Sequence, residues 1–353
     1  MSALSHSTPW LSAWPESGLE AVAACPVCGS KNRTKLYSDL VDNVFFVATG
    51  RWVLHQCRDC RCAYLDPRPT AESIHLAYER YYTHEAPGSR AEASSSGLRL
   101  IRRALANGYT NWRFGTSRSP ASALGVSIVR LLPSKRTLLD QEFRYLPRPK
   151  PRSRLLDVGC GSGDFLEKVR LAGWDVSGVD VDDKAVSNAR KKGLNIRHGD
   201  IGACRETNFD AITLSHVIEH VHDPLALLRG AHARLKPGGC LYIETPNLES
   251  VGHRRFGRNW RGLEPPRHLV ILSSGSLRLL LAAAGFKTSG SLLRTNYYRY
   301  MFQASVRISR RLDPSEHSAG MSLDWRARLA VLRTHLQPSM QEFLAVTAFK
   351  DER

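Results

Sequence analysis

The stretch Arg154-Leu-Leu-Asp-Val-Gly-Cys-Gly-Ser-Gly-Asp-Phe165 restricts what this chain can fold into more than any other. Leu155, Leu156 and Val158 form a short apolar run of the kind buried on both faces of a parallel sheet. Gly159, Gly161 and Gly163 follow, and Asp164-Phe165-Leu166 opens a helical pattern. Glycine lacks Cβ, so the turn can tighten and bring main chain against a ligand. The helix start adds free N–H groups and a positive dipole end that suit an anionic group. Strand, glycine turn and helix in this order make a βα unit, and therefore an α/β fold. The spacing is Gly-x-Gly-x-Gly, not the Gly-x-Gly-x-x-Gly of dinucleotide sites. One unit downstream, the strand-like run from Trp174 to Val179 ends at Asp180, where a carboxylate can hold a ribose diol.

From Asp157-Val-Gly-Cys-Gly-Ser-Gly163 onward the chain resembles the class I S-adenosylmethionine-dependent methyltransferases. The likeness continues through Gly178-Val-Asp180, Gly199-Asp200, Phe209-Asp210, Leu235-Lys-Pro-Gly-Gly239 and Thr245-Pro-Asn247, over residues 150 to 295. It implies a doubly wound, Rossmann-like, mostly parallel seven-stranded sheet with S-adenosylmethionine as cofactor. Carried over position by position, the cofactor residues are Asp157, Gly159, Gly161, Gly163, Asp180, Val181, Asp200, Ile201 and Ser215. Asp200 would reach the adenine amine, Ile201 would pack on the ring, and Ser215 would offer backbone groups to the methionine moiety.

Ser215-His-Val-Ile-Glu-His220 follows the fourth strand of the α/β region, Phe209 to Leu214. The pattern His-x-x-Glu-His also occurs in metalloproteases, but there it lies on a long helix with a further ligand. At a strand's carboxyl end it belongs where open sheets bind ligands. The sulfonium donor is already activated, so the protein must align the acceptor, exclude water and remove a hydroxyl proton. Histidine suits that last task. His220 is the first candidate base with Glu219 orienting it, and His216 is the second. His268 is a rival, at the end of Arg258-Asn-Trp-Arg-Gly-Leu-Glu-Pro-Pro-Arg-His268, a segment whose cationic and aromatic groups suit an acceptor loop. The bland alternative is that these histidines only satisfy local hydrogen bonds.

Near the N-terminus, Cys25-Pro-Val-Cys28 and Cys57-Arg-Asp-Cys60 form two Cys-x-x-Cys knuckles. Together they complete a tetrahedral four-cysteine zinc site with no open position, structural rather than catalytic. Strand-like runs between them (Thr34 to Tyr37, Val44 to Ala48, Trp52 to Gln56) suit a zinc ribbon. His55 and Cys62 are spare candidates, Cys62 reading as a bystander. Cys160, Cys204 and Cys240 read as small buried hydrophobes. Thr70 can cap a helix to about Tyr82 carrying Ile74, Tyr78 and Tyr81 on one face. A four-cysteine module before such a helix is similar to a subgroup of bacterial methyltransferases for sugars and other small metabolites.

The segments expected are a polar leader (1–20), a zinc-ribbon module (21–66), a basic helical linker or cap (67–150) and the methyltransferase domain (151–353), with an insert near 296–341. Within 83–150, arginines are frequent and acids few around two apolar patches, Leu98 to Leu105 and Ala121 to Leu132. They read as a helical cap over the acceptor or as an amphipathic helix on an anionic membrane. The chain has 353 residues and a formal net charge of +17, which serves solubility or attracts an anionic partner: a nucleotide-linked substrate, a phospholipid surface or nucleic acid. No apolar run approaches a membrane span and no secretion signal opens the chain, so a cytoplasmic protein, at most surface-associated with a membrane, is expected.

The reaction these features favour is O-methylation of a sugar-like or secondary-metabolite hydroxyl. The near alternative is C-methylation of a nucleotide-linked keto sugar, where the same base would form an enolate. Two readings come from other classes. An RNA methyltransferase or nucleic-acid binder is opposed by the lack of an Asn/Asp-Pro-Pro-Tyr motif and of any RNA module. A scaffold without catalysis is opposed by the intact glycine loop and Asp180.

Overall fold

The computed structural model describes residues 8–78, 97–293, 298–315 and 337–352. Met1 to Ser7, Tyr81 and Tyr82, the start of the basic segment at Thr83, Arg294 and half of the expected 296–341 insert lie outside the described residues. In chain order the strands are β1 Leu19–Glu20, β2 Arg33–Leu40, β3 Trp52–Cys57, β4 Ala63–Leu65, β5 Arg68–Pro69, β6 Arg154–Val158, β7 Asp175–Asp180, β8 Asn195–His198, β9 Phe209–Ser215, β10 Leu235–Pro246, β11 Val270–Ile271, β12 Phe286–Ser291 and β13 Phe343–Lys350. The helices are α1 Gly97–Phe114, α2 Leu124–Arg130, α3 Pro133–Glu142, α4 Asp164–Arg170, α5 Asp183–Lys191, α6 Pro224–Arg234, α7 Val251–Phe256, α8 Ser274–Ala283 and α9 Tyr298–Ser309.

Seven strands form the expected sheet, in the order β12-β13-β10-β9-β6-β7-β8. Around β6 the pairing is parallel: Val158 lies opposite Val179 and Leu214, and Asp180 opposite His198. The chain therefore winds outward from β6 through β7 to β8, then restarts on the other side with β9. A crevice at such a reversal point is where open α/β sheets hold ligands. Two compact units are formed: Met1–Tyr81 with His216–Arg229 and Glu244–Val346, and Tyr82–Ser215 with Gly230–Ile243 and Thr347–Arg353. Each has its own apolar core, one built on Trp52, Leu54, Trp260 and Leu269, the other on Leu155, Leu166, Val186 and Phe143.

Local chemistry explains most helix limits. Asp182 caps α5 by accepting from the Lys184 and Ala185 amides, and Gly193 ends it with φ +72°. Asp223 accepts from the Ala226 amide in front of Pro224, the first residue of α6. Ser273 and Ser276 form a reciprocal capping box on α8. Lys236-Pro-Gly-Gly239, expected as a stop between helix and strand, is instead part of β10. The Gly238 amide donates to the Asp351 carbonyl just past β13, and the Lys350 ammonium donates to the Leu235 carbonyl at the start of β10.

The cysteine segment forms a four-stranded sheet, β11-β4-β3-β2, whose outer strand is borrowed from residues 270–271. The run from Val44 to Ala48 is not a strand. Buried Asp42 accepts from the Phe45, Val47 and Ala48 amides, which wraps that segment around one carboxylate. The helix expected from Thr70 is a short 3-10 turn, Ile74–Tyr78, in the described residues.

Candidate functional site

The glycine turn after β6 has the conformation its sequence demands. Gly159, Gly161 and Gly163 all have positive φ, at 68°, 54° and 82°. Their reasons differ. A Cβ on Gly163 would lie 2.3 Å from Leu194 Cδ1, so that glycine packs the turn against the next unit. A Cβ on Gly161 would meet nothing within 4 Å, so its backbone is open to a ligand. Asp180 ties the turn to the tip of β7: Oδ2 accepts from the Gly161 amide at 2.7 Å and Oδ1 from the Asp182 amide at 2.9 Å. Burial raises its pKa against those hydrogen bonds. Each oxygen keeps a lone pair for a hydroxyl donor.

Asp157, at the end of β6, is 1% exposed. Its Oδ1 accepts from Arg144 Nη1 and, at 2.6 Å, from Thr213 Oγ1, while Oδ2 is buried with no hydrogen-bond partner. A buried carboxylate oxygen without a donor is costly, and a ligand ammonium or hydroxyl would satisfy it. Arg144 also lies 3.6 Å from the Phe165 ring centroid. Sequence reading missed Arg144 and Thr213, since neither stands in a motif. Asp200 accepts from the Gly202 amide at 2.8 Å and caps the turn Ile201–Ala203, with Ile201 buried and Val181 71% exposed. Ser215 closes β9.

The next residue, His216, has φ +57°. Its Nδ1 lies 3.2 Å from Glu219 Oε1 and its Nε2 3.5 Å from Glu244 Oε1. The ring is 41% exposed, and hydrogen bonds and charge from the buried Glu219 and Glu244 outweigh the desolvation of its inner side and carry its pKa up to about 10. It is an imidazolium at neutral pH. Glu219 is fully buried; burial favours its neutral form, yet His216 and the neighbouring rings hold its pKa below the ordinary value. Its Oε2 accepts from Thr245 Oγ1 at 2.9 Å.

His220 Nδ1 sits 3.0 Å from the Arg267 carbonyl and 3.1 Å from Tyr78 Oη. A carbonyl can only accept, so Nδ1 carries a proton and donates it there, which leaves Nε2 as the ring nitrogen that faces away from these partners. His268 repeats the arrangement, with Nδ1 donating to the Gly262 carbonyl at 2.8 Å, and the two rings meet edge to face at 4.8 Å between centroids. Burial drives the His268 pKa down to about 4 despite Glu264. Glu219, His220 and His268 offer ligand atoms within 4.8 Å of one another.

The segment from Arg258 to His268 is less free than an acceptor loop needs to be. Arg267 is fully buried, paired with Asp42 through both Nη atoms, with the Ala77 carbonyl at 2.7 Å and with Glu264 at 3.2 Å. Arg258 donates to the Ser38 and Asp39 carbonyls. Trp260 Nε1 donates to Glu342 at 2.8 Å, and burial pushes that carboxyl up to about 7.

The four knuckle thiols, Cys25, Cys28, Cys57 and Cys60, lie within 4.8 Å of one another, with Cys25–Cys60 and Cys28–Cys57 both at 3.6 Å. Zinc–sulfur bonds of about 2.3 Å in a tetrahedron place sulfurs roughly 3.8 Å apart, so the set fits. Each knuckle ends in a left-handed residue, Gly29 and Arg61. Cys62 is not remote: its Sγ is 3.3 Å from Cys25 Sγ. All eight cysteines are free, and Cys160, Cys204 and Cys240 are buried as expected.

Residues 134–289 match the family model described as "Methyltransferase domain". Over 106 residues the chain is 37% identical to a ubiquinone biosynthesis O-methyltransferase of Xanthomonas campestris, covering 28% of this chain and 44% of that protein. A protein of the same name from Actinobacillus pleuropneumoniae is 36% identical over 107 residues, 27% of this chain and 46% of the relative. The chain thus spans less than half the length of these relatives. A solved S-adenosylmethionine-dependent methyltransferase from Archaeoglobus fulgidus is 21% identical with a TM-score of 0.42, covering 61% of this chain and 94% of that one.

Proposed function

We propose that this chain is an S-adenosylmethionine-dependent methyltransferase that O-methylates a small sugar-like or secondary-metabolite hydroxyl, with zinc on Cys25, Cys28, Cys57 and Cys60 as a structural ion. The observation that carries the reading is the open glycine turn hydrogen-bonded to Asp180, inside the region that matches a methyltransferase domain. Asp180 would hold the ribose hydroxyls, Asp157 Oδ2 would accept from the methionyl ammonium, and Asp200 with Ile201 would take the adenine. The names of the relatives favour oxygen as the methylated atom.

The bound donor supplies a methyl group on sulfonium sulfur, ready for in-line transfer. His220 supplies the proton acceptor. His220 Nε2 would take the proton of the hydroxyl that receives the methyl group, and buried Glu219, held below the ordinary carboxylate range, would stabilise the imidazolium that forms. His216 is already protonated and cannot act as the base, so its part is to hold Glu219 and Glu244 in place. His268, with its pKa near 4, holds a proton too weakly to compete.

The test is transfer of label from a radioactive donor into fractions of a metabolite extract. Wild type should label a small-molecule fraction, and His220→Ala should bind donor normally while losing turnover by about a hundredfold or more. Full turnover in the variant would remove His220 as the base, and label in RNA alone would overturn the acceptor class. Label retained in alkali on carbon would select C-methylation. A second reading is favoured by the ligand atoms of Glu219, His220 and His268: a divalent ion there could acidify the hydroxyl instead. Turnover that rises with added magnesium or manganese would choose it; turnover indifferent to both keeps the histidine base.

A further inference from the structure

Nine of the sixteen exposed large hydrophobic side chains among the described residues lie between residues 97 and 142, so exposed apolar surface is concentrated on α1, α2 and α3. It is not scattered within those helices either. Leu124 and Ile128 of α2 and Leu131, its C-cap residue, repeat at helical spacing and are all exposed, while Gly125 and Val129 on the adjoining face are buried. In α1 the first turns are open, with Leu98 and Ile101 69% and 58% exposed, and Trp112 is exposed further along.

The helices carrying these side chains are held firmly from behind. A Cβ on Gly108 would lie 1.8 Å from the Ser122 carbonyl oxygen, and one on Gly125 would lie 2.0 Å from that of Leu105. α1 and α2 therefore meet backbone to backbone. Tyr109, Phe114, Val129 and Phe143 join the core beneath them, Phe114 and Phe143 stacking at 4.4 Å. The outer leucines are thus a fixed surface, and single exposed leucines would need no explanation where a cluster does.

Charge names the occupant. Residues 97–142 hold eight arginines and lysines against Asp140 and Glu142. Neither acid is free: Asp140 is buried and accepts from Tyr109 Oη at 2.8 Å, and Glu142 is paired with Arg118 and Lys168. Arg130 lies over the Trp112 ring at 5.7 Å, so the cations stand among the apolar groups and not apart from them. Basic residues interleaved with aliphatic ones match the boundary of an anionic bilayer, where leucines enter the acyl region and arginines reach the phosphates. A second copy would bring two cationic faces together, and a single-stranded nucleic acid would need a row of stacking aromatics where this face offers one, Trp112, among aliphatic chains.

We propose that α1, α2 and α3 form a peripheral docking surface for anionic phospholipid membranes. The experiment is flotation of the full-length protein with vesicles of phosphatidylcholine alone or with 30 mol% phosphatidylglycerol as the probe, at low and raised salt. Wild type should float with the anionic vesicles, weakly with the neutral ones, and less as salt rises. Leu124→Asp/Leu131→Asp should lower the partition coefficient at least tenfold with an unchanged far-UV spectrum, as roughly one lost leucine insertion requires. Arg99→Gln/Arg102→Gln/Arg103→Gln should weaken binding to anionic vesicles alone. Absence of wild-type flotation, equal flotation of all variants, or a leucine variant that changes only the oligomeric mass would each overturn the proposal. Soluble RNA that competes the vesicles off would do the same. Because the readout is lipid partition, the result stands or falls separately from donor binding and turnover.

Discussion

Asp180 faces two demands at once, since its oxygens hold the Gly161 and Asp182 amides while a ribose would call on the same carboxylate. Removing it should cost donor affinity twice, through a lost charge-assisted pair and through a loosened glycine turn. Asp180→Ala should weaken S-adenosylmethionine binding by tenfold to a hundredfold in calorimetry, since hydrogen bonds to a charged group contribute about 1.5–3 kcal/mol. Asp180→Asn, which keeps acceptor geometry on one oxygen, should fall between; equal affinity in both variants and the parent would detach ribose from this residue. Asp180 was legible because a strand, its tip and a glycine turn sit close in sequence. Arg144 was not. It reaches Asp157 from a segment whose left-handed conformation at Arg144 and Tyr145 leaves no local pattern to read.

The cysteine sheet shows the same limit at the level of elements. Alternation and the two knuckles marked β2 and β3, but two-residue β11 carries no periodic signal, and only the fold brings it beside β4. Asp42 stands in no motif, and Arg267 read as one of the cationic groups of an acceptor loop. In the structure the two form a fully buried pair, with Phe45 stacked 4.2 Å from the guanidinium. A buried pair is expensive to break and cheap to replace. Arg267→Met alone should destabilise by about 3–5 kcal/mol, because buried Asp42 loses its guanidinium partner. Asp42→Leu/Arg267→Met should recover a large part of that loss in urea unfolding. Additive losses in the double variant would show that the two side chains act separately, with Asp42 valued for the three amides it holds.

Over the whole molecule, the α/β sheet was readable because each βα unit is local in sequence, while the order of its strands is visible only in the structure. The two compact units were not readable, since each is assembled from three separated stretches of chain. That assembly buries titratable groups whose loops look exposed in the sequence, and it gives the folded protein a specific pH response. Glu342, 2% exposed, has a folded-state pKa near 7 against an ordinary 4.5. Between those values the folded state binds more protons, so this group's contribution to stability falls as pH rises. His268 has a folded-state pKa near 4 against 6.5, so the unfolded state binds more protons and stability falls as pH drops through that window. One pKa unit is about 1.4 kcal/mol, so each group is worth about 3 kcal/mol across its range, with opposite sign. Measured against the parent, Glu342→Gln should gain stability steadily from pH 4.5 to 7. His268→Asn, whose amide can still donate to Gly262, should gain it from pH 6.5 down to 4. Melting curves of the three proteins at half-unit intervals decide the matter, and two parallel difference curves would mean that neither group titrates in the folded protein as its burial demands.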